Sequence, residues 1–167
     1  MQISLYKIDV ELKEKAMNYR QSIRVGVIGG ASPRPEFLDK AKKIGRLIAE
    51  KGALLVCGGL SGVMEAAARG VSEAGGLSIG ILPGGSIRDA NPYIDVPVAT
   101  AMGYSRNMLV VINSDVLIAV DGEYGTLSEI AYGRVYGKRI IGIGTWDIPG
   151  IIKAETPEEA VRLALEG

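Results

Sequence analysis

The chemistry this chain could do is concentrated in two glycine-rich segments and one arginine. Gly122-Glu123-Tyr124-Gly125-Thr126-Leu127-Ser128-Glu129 runs from an apolar stretch through glycines into a helical pattern. Thr126 and Glu129 are three residues apart, so they share a face in that helix's first turn. A carboxylate there reaches a sugar or a water. Arg106 holds the corresponding first-turn position of the preceding helical stretch, Gly103-Tyr104-Ser105-Arg106-Asn107-Met108. Alone, Glu129 reads as a helix N-terminal acid favoured by the macrodipole, and Arg106 as a solvated surface residue. Together, on neighbouring helices beside glycine loops, they read as a carboxylate and a guanidinium converging on one crevice.

The second segment is Cys57-Gly58-Gly59-Leu60-Ser61-Gly62-Val63-Met64-Glu65, a strand, a glycine turn and a helix start. It lacks the G-x-G-x-x-G dinucleotide fingerprint, and no lysine follows in the place a nucleotide-hydrolysing P-loop requires. Glycine collects wherever a strand runs into a helix, at IGGAS, CGGLSG, LPGG, VDGEYGT and GIGTWD, whereas the helix-to-strand junctions KGA, AGGL, NSD and GKR are plainer. In a parallel sheet all those glycine junctions share one edge, where amides at helix N-termini attract anions. Tight turns use glycine too. The expected ligand is a phosphorylated small molecule held by Gly29, Gly30, Gly58, Gly59, Ser61, Gly62, Gly122, Tyr124, Gly125 and Thr126.

Positioning these residues requires an α/β fold, a Rossmann-like three-layer αβα arrangement around a mostly parallel sheet. Short apolar runs at 23–28, 53–57, 77–82, 116–120 and 139–143 read as strands. They alternate with helical patterns at 35–51, 62–74, 103–113, 125–136 and 156–166. The last begins with Thr156 as N-cap, Pro157 at N1 and Glu159 at N3, a capping box. A Pro- and Asn-rich loop runs from the third strand through Pro97. Residues 1–22 form an N-terminal extension in which 2–8 alternates like an edge strand and 11–20 suits a short helix. No linker or repeat divides the chain, so a single domain is expected over residues 1–167.

Composition narrows the function. Lys plus Arg and Asp plus Glu are both 19, and a net charge of zero argues against a nucleic-acid partner. With no histidine and one cysteine, Ser-His-Asp and Cys-His catalysis, His-ligated zinc and an internal disulfide are excluded, and no metal site is expected. No apolar run approaches the roughly 20 residues that span a bilayer, so no membrane partner is expected and the compartment expected is the cytoplasm.

The segment G-G-x-x-G-V-M-E-A-A-A-x-G at 58–70, the Arg106 stretch and G-T-L-S-E at 125–129 resemble the LONELY GUY family, long labelled "possible lysine decarboxylase". The resemblance covers roughly residues 23–145. It implies a homodimer or higher homo-oligomer and a nucleoside 5′-monophosphate phosphoribohydrolase, which cleaves the base from the sugar phosphate and requires no cofactor. It also implies Arg106 and Glu129 as the catalytic pair and Gly122, Gly125 and Thr126 as the phosphate loop. Within this broad family the sequence looks nearer the subgroup that includes the molybdenum cofactor carrier protein. Its ligand would then be an AMP-like nucleotide or a pterin, molybdopterin, held without turnover.

The family motif P-G-G-x-G-T-x-x-E is altered here, because Asp121-Gly122-Glu123 replaces Pro-Gly-Gly. A carboxylate 4 Å from a phosphate charge repels it by about 4 kcal/mol at an effective dielectric near 20. Unless those side chains turn away or a cation intervenes, the phosphate is expected elsewhere, for example against Gly58–Gly62. In the enzyme reading, Glu129 stabilises an oxocarbenium-like sugar and orients water, while Arg106 fixes the phosphate or eases departure of the base. Tyr124 or Met102 would stack on a base. Lys138 and Lys153 sit in no Schiff-base motif. A DNA-processing relative is a third reading, disfavoured by the neutral charge.

Overall fold

The computed structural model describes residues 19 to 166. The strand and helix expected within residues 2–8 and 11–20 lie outside the described residues, apart from the last positions of that helix. Strands are β1 (Arg24–Gly29), β2 (Leu54–Cys57), β3 (Ser78–Leu82), β4 (Val96–Ala99), β5 (Val116–Val120), β6 (Arg139–Ile143) and β7 (Ile151–Lys153). The helices are α1 (Pro35–Glu50), α2 (Val63–Glu73), α3 (Asn107–Ile112), α4 (Tyr124–Val135) and α5 (Pro157–Leu165).

All seven strands lie in one sheet, in the order β4-β3-β2-β1-β5-β6-β7, and each neighbouring pair is parallel. Alternation along the strands divides the core into two faces. Val25 and Val27 of β1 with Val116, Ile118 and Val120 of β5 pack against α1, α2 and α5. Ile28, Leu117, Ala119 and Ile140 point the other way, toward Val110 and Val111 of α3 and Ile130 of α4. The chain winds outward from β1 to β4, then returns to the centre and winds the opposite way from β5 to β7. The reversal places a crevice at the carboxyl ends of β1 and β5, the position where open α/β sheets bind ligands.

Several expectations need correction. The loop through Pro97 contains β4, whose Pro97 lies opposite Gly80. Proline cannot donate to a ladder, but an edge strand has a side that needs no donor. Asp95 secures this edge by accepting hydrogen bonds from the Ser78 amide (2.8 Å) and hydroxyl (2.9 Å). A further edge strand, β7, follows β6. The helix expected over 103–113 is a 3-10 turn at Gly103–Arg106 followed by the short α3. The capping box is displaced: Thr156 Oγ1 accepts from the Glu159 amide at 3.2 Å, but the Glu159 carboxylate accepts from the Glu155 amide (3.0 Å), one residue before the N-cap. Among the described residues no helix is long and apolar enough to cross a membrane.

Helices α1 and α2 touch backbone to backbone. A β-carbon on Gly45 would strike the Ala67 carbonyl, and one on Gly70 the Lys42 carbonyl. On a free helix surface Gly45→Ala would stabilise by about 1 kcal/mol. Here it should destabilise by about 1–3 kcal/mol, because neither backbone can yield without moving a helix. Urea unfolding of the variant measures this, and a gain in stability would show that the two helices are not in contact.

Candidate functional site

The switch-point crevice is lined by Gly29 at the end of β1 with Gly30 and Ala31 after it, Gly58 after β2, Tyr104, Arg106 and Asn107 before β5, and Glu123, Gly125, Thr126 and Glu129 after it. On α4, Thr126, Glu129, Ile130 and Gly133 are buried, a helical i, i+3, i+4, i+7 face. That face points Thr126 and Glu129 inward at the helix start.

Arg106, only 7% exposed, is held at three points. Its Nε donates to the Ile81 carbonyl at 2.6 Å and one Nη to the Gly58 carbonyl at 3.1 Å. The other Nη donates to Asn107 Oδ1. Burial pulls the Arg106 pKa below its ordinary value, against the supporting charge of Glu129, and a guanidinium nonetheless stays protonated. A β-carbon at Gly58 would sit 2.6 Å from the guanidinium, so glycine there makes room for the arginine. The buried Asn107 also donates to the Gly125 carbonyl (3.3 Å) and Ser128 Oγ (2.9 Å), locking the Arg106 turn to the first turn of α4.

Glu129 is 6% exposed, and no hydrogen bond reaches its carboxyl among the described residues. Burial pushes its pKa up to about 8, and the nearby Arg106 charge offsets only part of that. The group is therefore an acid held largely neutral at pH 7, open to the crevice and opposite a fixed cation. The Cys57 thiol at the end of β2 is pushed up to about 12 by burial and acts as a neutral packing group.

The two acidic residues that break the expected motif part company. Asp121, at φ 49°, accepts from the Arg34 amide at 3.3 Å and lies 4.0 Å from the Arg34 guanidinium. Its charge is thereby turned toward the start of α1 and away from the crevice. Glu123 stays at the crevice wall.

Of the residues expected from sequence, Gly29, Gly30, Gly58, Arg106, Gly125, Thr126 and Glu129 meet at the crevice. Gly59, Ser61, Gly62, Gly122 and Tyr124 do not line it. Gly62 faces the Gly30 and Ala31 carbonyls and so joins two loops. Gly122, at φ 107°, backs onto the Thr126 side chain. Tyr124 is 79% exposed and packs on Trp146 outside the crevice, and Ser61 is exposed. Tyr104 and Asn107 line the crevice without having been singled out, and Glu123, singled out only as a motif departure, lines it too. The type of each was visible, but the 3-10 turn that turns Tyr104 and Asn107 toward the crevice was not. A larger cavity of about 620 Å³ between α1 and α5 opens at the opposite, amino edge of the sheet, away from the glycine loops.

The model of the SLOG cluster4 family matches residues 22–165. The chain is similar to the molybdenum cofactor binding protein of the phototrophic bacterium Rippkaea orientalis, with a TM-score of 0.81 at 34% identity over 85% of this chain and 94% of that one. It is similar to the molybdenum cofactor carrier protein of Chlamydomonas reinhardtii, with a TM-score of 0.80 at 30% identity over 87% and 97% of the two chains. It is also 33% identical over 112 residues to a probable cytokinin riboside 5′-monophosphate phosphoribohydrolase of Oryza sativa subsp. japonica, matching 64% of this chain and 46% of that protein.

A raised carboxyl pKa means that the folded state binds a proton the unfolded chain releases. Stability contributed by neutral Glu129 is complete below the unfolded value of 4.5 and is lost as pH rises toward about 8. Glu129→Gln should therefore gain ~2–4 kcal/mol over the wild type at pH 8 and far less at pH 4.5. Paired urea titrations at the two pH values test this, and an equal difference at both would show that Glu129 is ionised in the fold.

Proposed function

This chain belongs to the SLOG cluster4 family, as a relative of the LONELY GUY proteins near the molybdenum cofactor carriers, and on that footing we propose a phosphoribohydrolase. Its crevice binds a nucleoside 5′-monophosphate and hydrolyses the N-glycosidic bond to free base and ribose 5-phosphate. The observation that carries this reading is Glu129, a buried carboxyl without a hydrogen-bond partner that opens onto the crevice opposite Arg106. A structural carboxyl with no ligand to serve would leave its burial uncompensated.

The chemistry follows from the two side chains. Ionised Glu129 stabilises the oxocarbenium-like sugar and orients a water. The C1′–N bond breaks with its electron pair leaving on the base, which takes up a proton from solvent. The water oxygen bonds to C1′ and gives one proton to Glu129, which returns it to solvent and is again a carboxylate. Of the five guanidinium N–H groups, three are spent on Ile81, Gly58 and Asn107, and the remainder are available to a phosphate or the departing base.

A second reading is a carrier that holds a nucleotide or pterin in the same crevice without turnover. It is favoured by Glu123, an acidic residue at the crevice wall where the family motif has glycine.

We also propose that the protein works as a homodimer. Ile112 of α3 with Val135 and Tyr136 at the end of α4 are 43%, 79% and 48% exposed, apolar side chains on two packed helices that a second copy would cover.

Incubation with AMP, GMP, CMP and isopentenyl-AMP should release free base and ribose 5-phosphate, and Glu129→Gln should lower the rate by about 100-fold or more. Because the reaction needs ionised Glu129, kcat/KM should rise with pH and level off above about 8. Full activity of Glu129→Gln would end the enzyme reading. No release, with GMP or a pterin still raising the melting temperature, would establish the carrier. Sedimentation should report a dimer that Val135→Glu converts to a monomer, and a monomeric wild type would refute the assembly.

A further inference from the structure

The crevice wall carries a carboxylate that the hydrolytic reaction does not use. Glu123 lines the crevice, and no hydrogen bond or ion pair engages its side chain among the described residues. Its backbone is fixed: the carbonyl accepts the Trp146 indole N–H at 3.3 Å, and the Trp146 ring packs on Tyr124 with centroids 5.8 Å apart. The neighbouring acid, Asp121, is committed to Arg34, so Glu123 remains available to a ligand. Tyr104 also lines the crevice and is 86% exposed, with an uncommitted aromatic ring.

An ionised carboxylate is acceptor-only, and its two oxygens match two adjacent N–H donors held in one plane. Tyr104 and Glu123 line the same crevice, so a planar heterocycle that stacks on the ring lies in the space the carboxylate borders. The edge that fits is the 2-amino-4-oxopyrimidine, in which a ring N–H and an exocyclic amine lie side by side. Guanine and pterin share that edge. Adenine presents a ring nitrogen lone pair beside its amine, and that lone pair would face the negative charge.

We propose that Glu123 is a specificity-determining residue that selects ligands with a 2-amino-4-oxopyrimidine edge, a guanine nucleotide or a pterin phosphate, over adenine nucleotides. The proposal rests on the crevice being the ligand site, and it holds whether the ligand is cleaved or carried.

Calorimetric titration of the full chain with GMP, IMP, AMP and neopterin monophosphate tests it, in the wild type and in Glu123→Gln and Glu123→Ala. IMP differs from GMP only by the missing 2-amino group. The wild type should bind GMP or the pterin at least about tenfold tighter than IMP and AMP. Both variants should reduce that ratio toward one without a change in melting temperature, since Glu123 is exposed and unpartnered. Whichever of GMP and the pterin binds more tightly identifies the source of the edge. Equal binding of AMP by the wild type, or a preference that survives in both variants, would overturn the role of Glu123 and leave the crevice reading standing. Failure of all four probes to bind would overturn both.

Discussion

A guanidinium buried at the point where the sheet reverses direction organises this molecule. Arg106 cannot shed its charge, so the fold must supply acceptors where water is excluded. It does so with the Ile81 carbonyl from β3, the Gly58 carbonyl after β2 and the Asn107 side chain, which in turn grips the start of α4. Four elements on both sides of the reversal are thereby fixed to one cation. That cation also sets the field that Glu129 experiences, so the character of the acid depends on the same bonds that hold the loops together.

Much of this arrangement was legible in the sequence because the relevant signals are local. Apolar runs gave β5 and β6 at their observed limits, and glycines at strand ends marked the edge where the crevice lies. The pairing of Arg106 with Glu129 followed from their first-turn positions. What stayed hidden depends on tertiary context. Pro97 argues against a strand unless one knows that β4 is an edge, and β7 is too short to register as a pattern. Residues 103–113 are apolar enough for one helix, yet the bonds of Arg106 to the ends of β2 and β3 accompany a 3-10 turn there. Tyr104 and Asn107 acquire their place at the crevice from that turn.

The Asp121-Gly122-Glu123 triplet shows how one loop distributes two charges. Asp121 adopts a left-handed backbone that directs its carboxylate to Arg34 just before α1, where that residue's amide and guanidinium receive it. The electrostatic penalty foreseen from sequence therefore falls on a single residue, Glu123. A motif departure that reads as damage to an anion site is, in space, one structural tie and one uncommitted acceptor.

The wide separation of β1 from its partner β5 also governs how the protein is made. Val25 pairs with Val116, and the Arg24 amide binds the Asp115 carboxylate across 91 positions of sequence. As the chain leaves the ribosome, β1 through β4 can pair in order, but one side of β1 stays bare until β5 emerges. Closing that long loop carries an entropic cost that the neighbouring pairings do not. The crevice sits on this seam. A chain interrupted before residue 116 therefore exposes a hydrophobic central strand and has no site at all, so the pocket forms only once both halves of the sheet have joined.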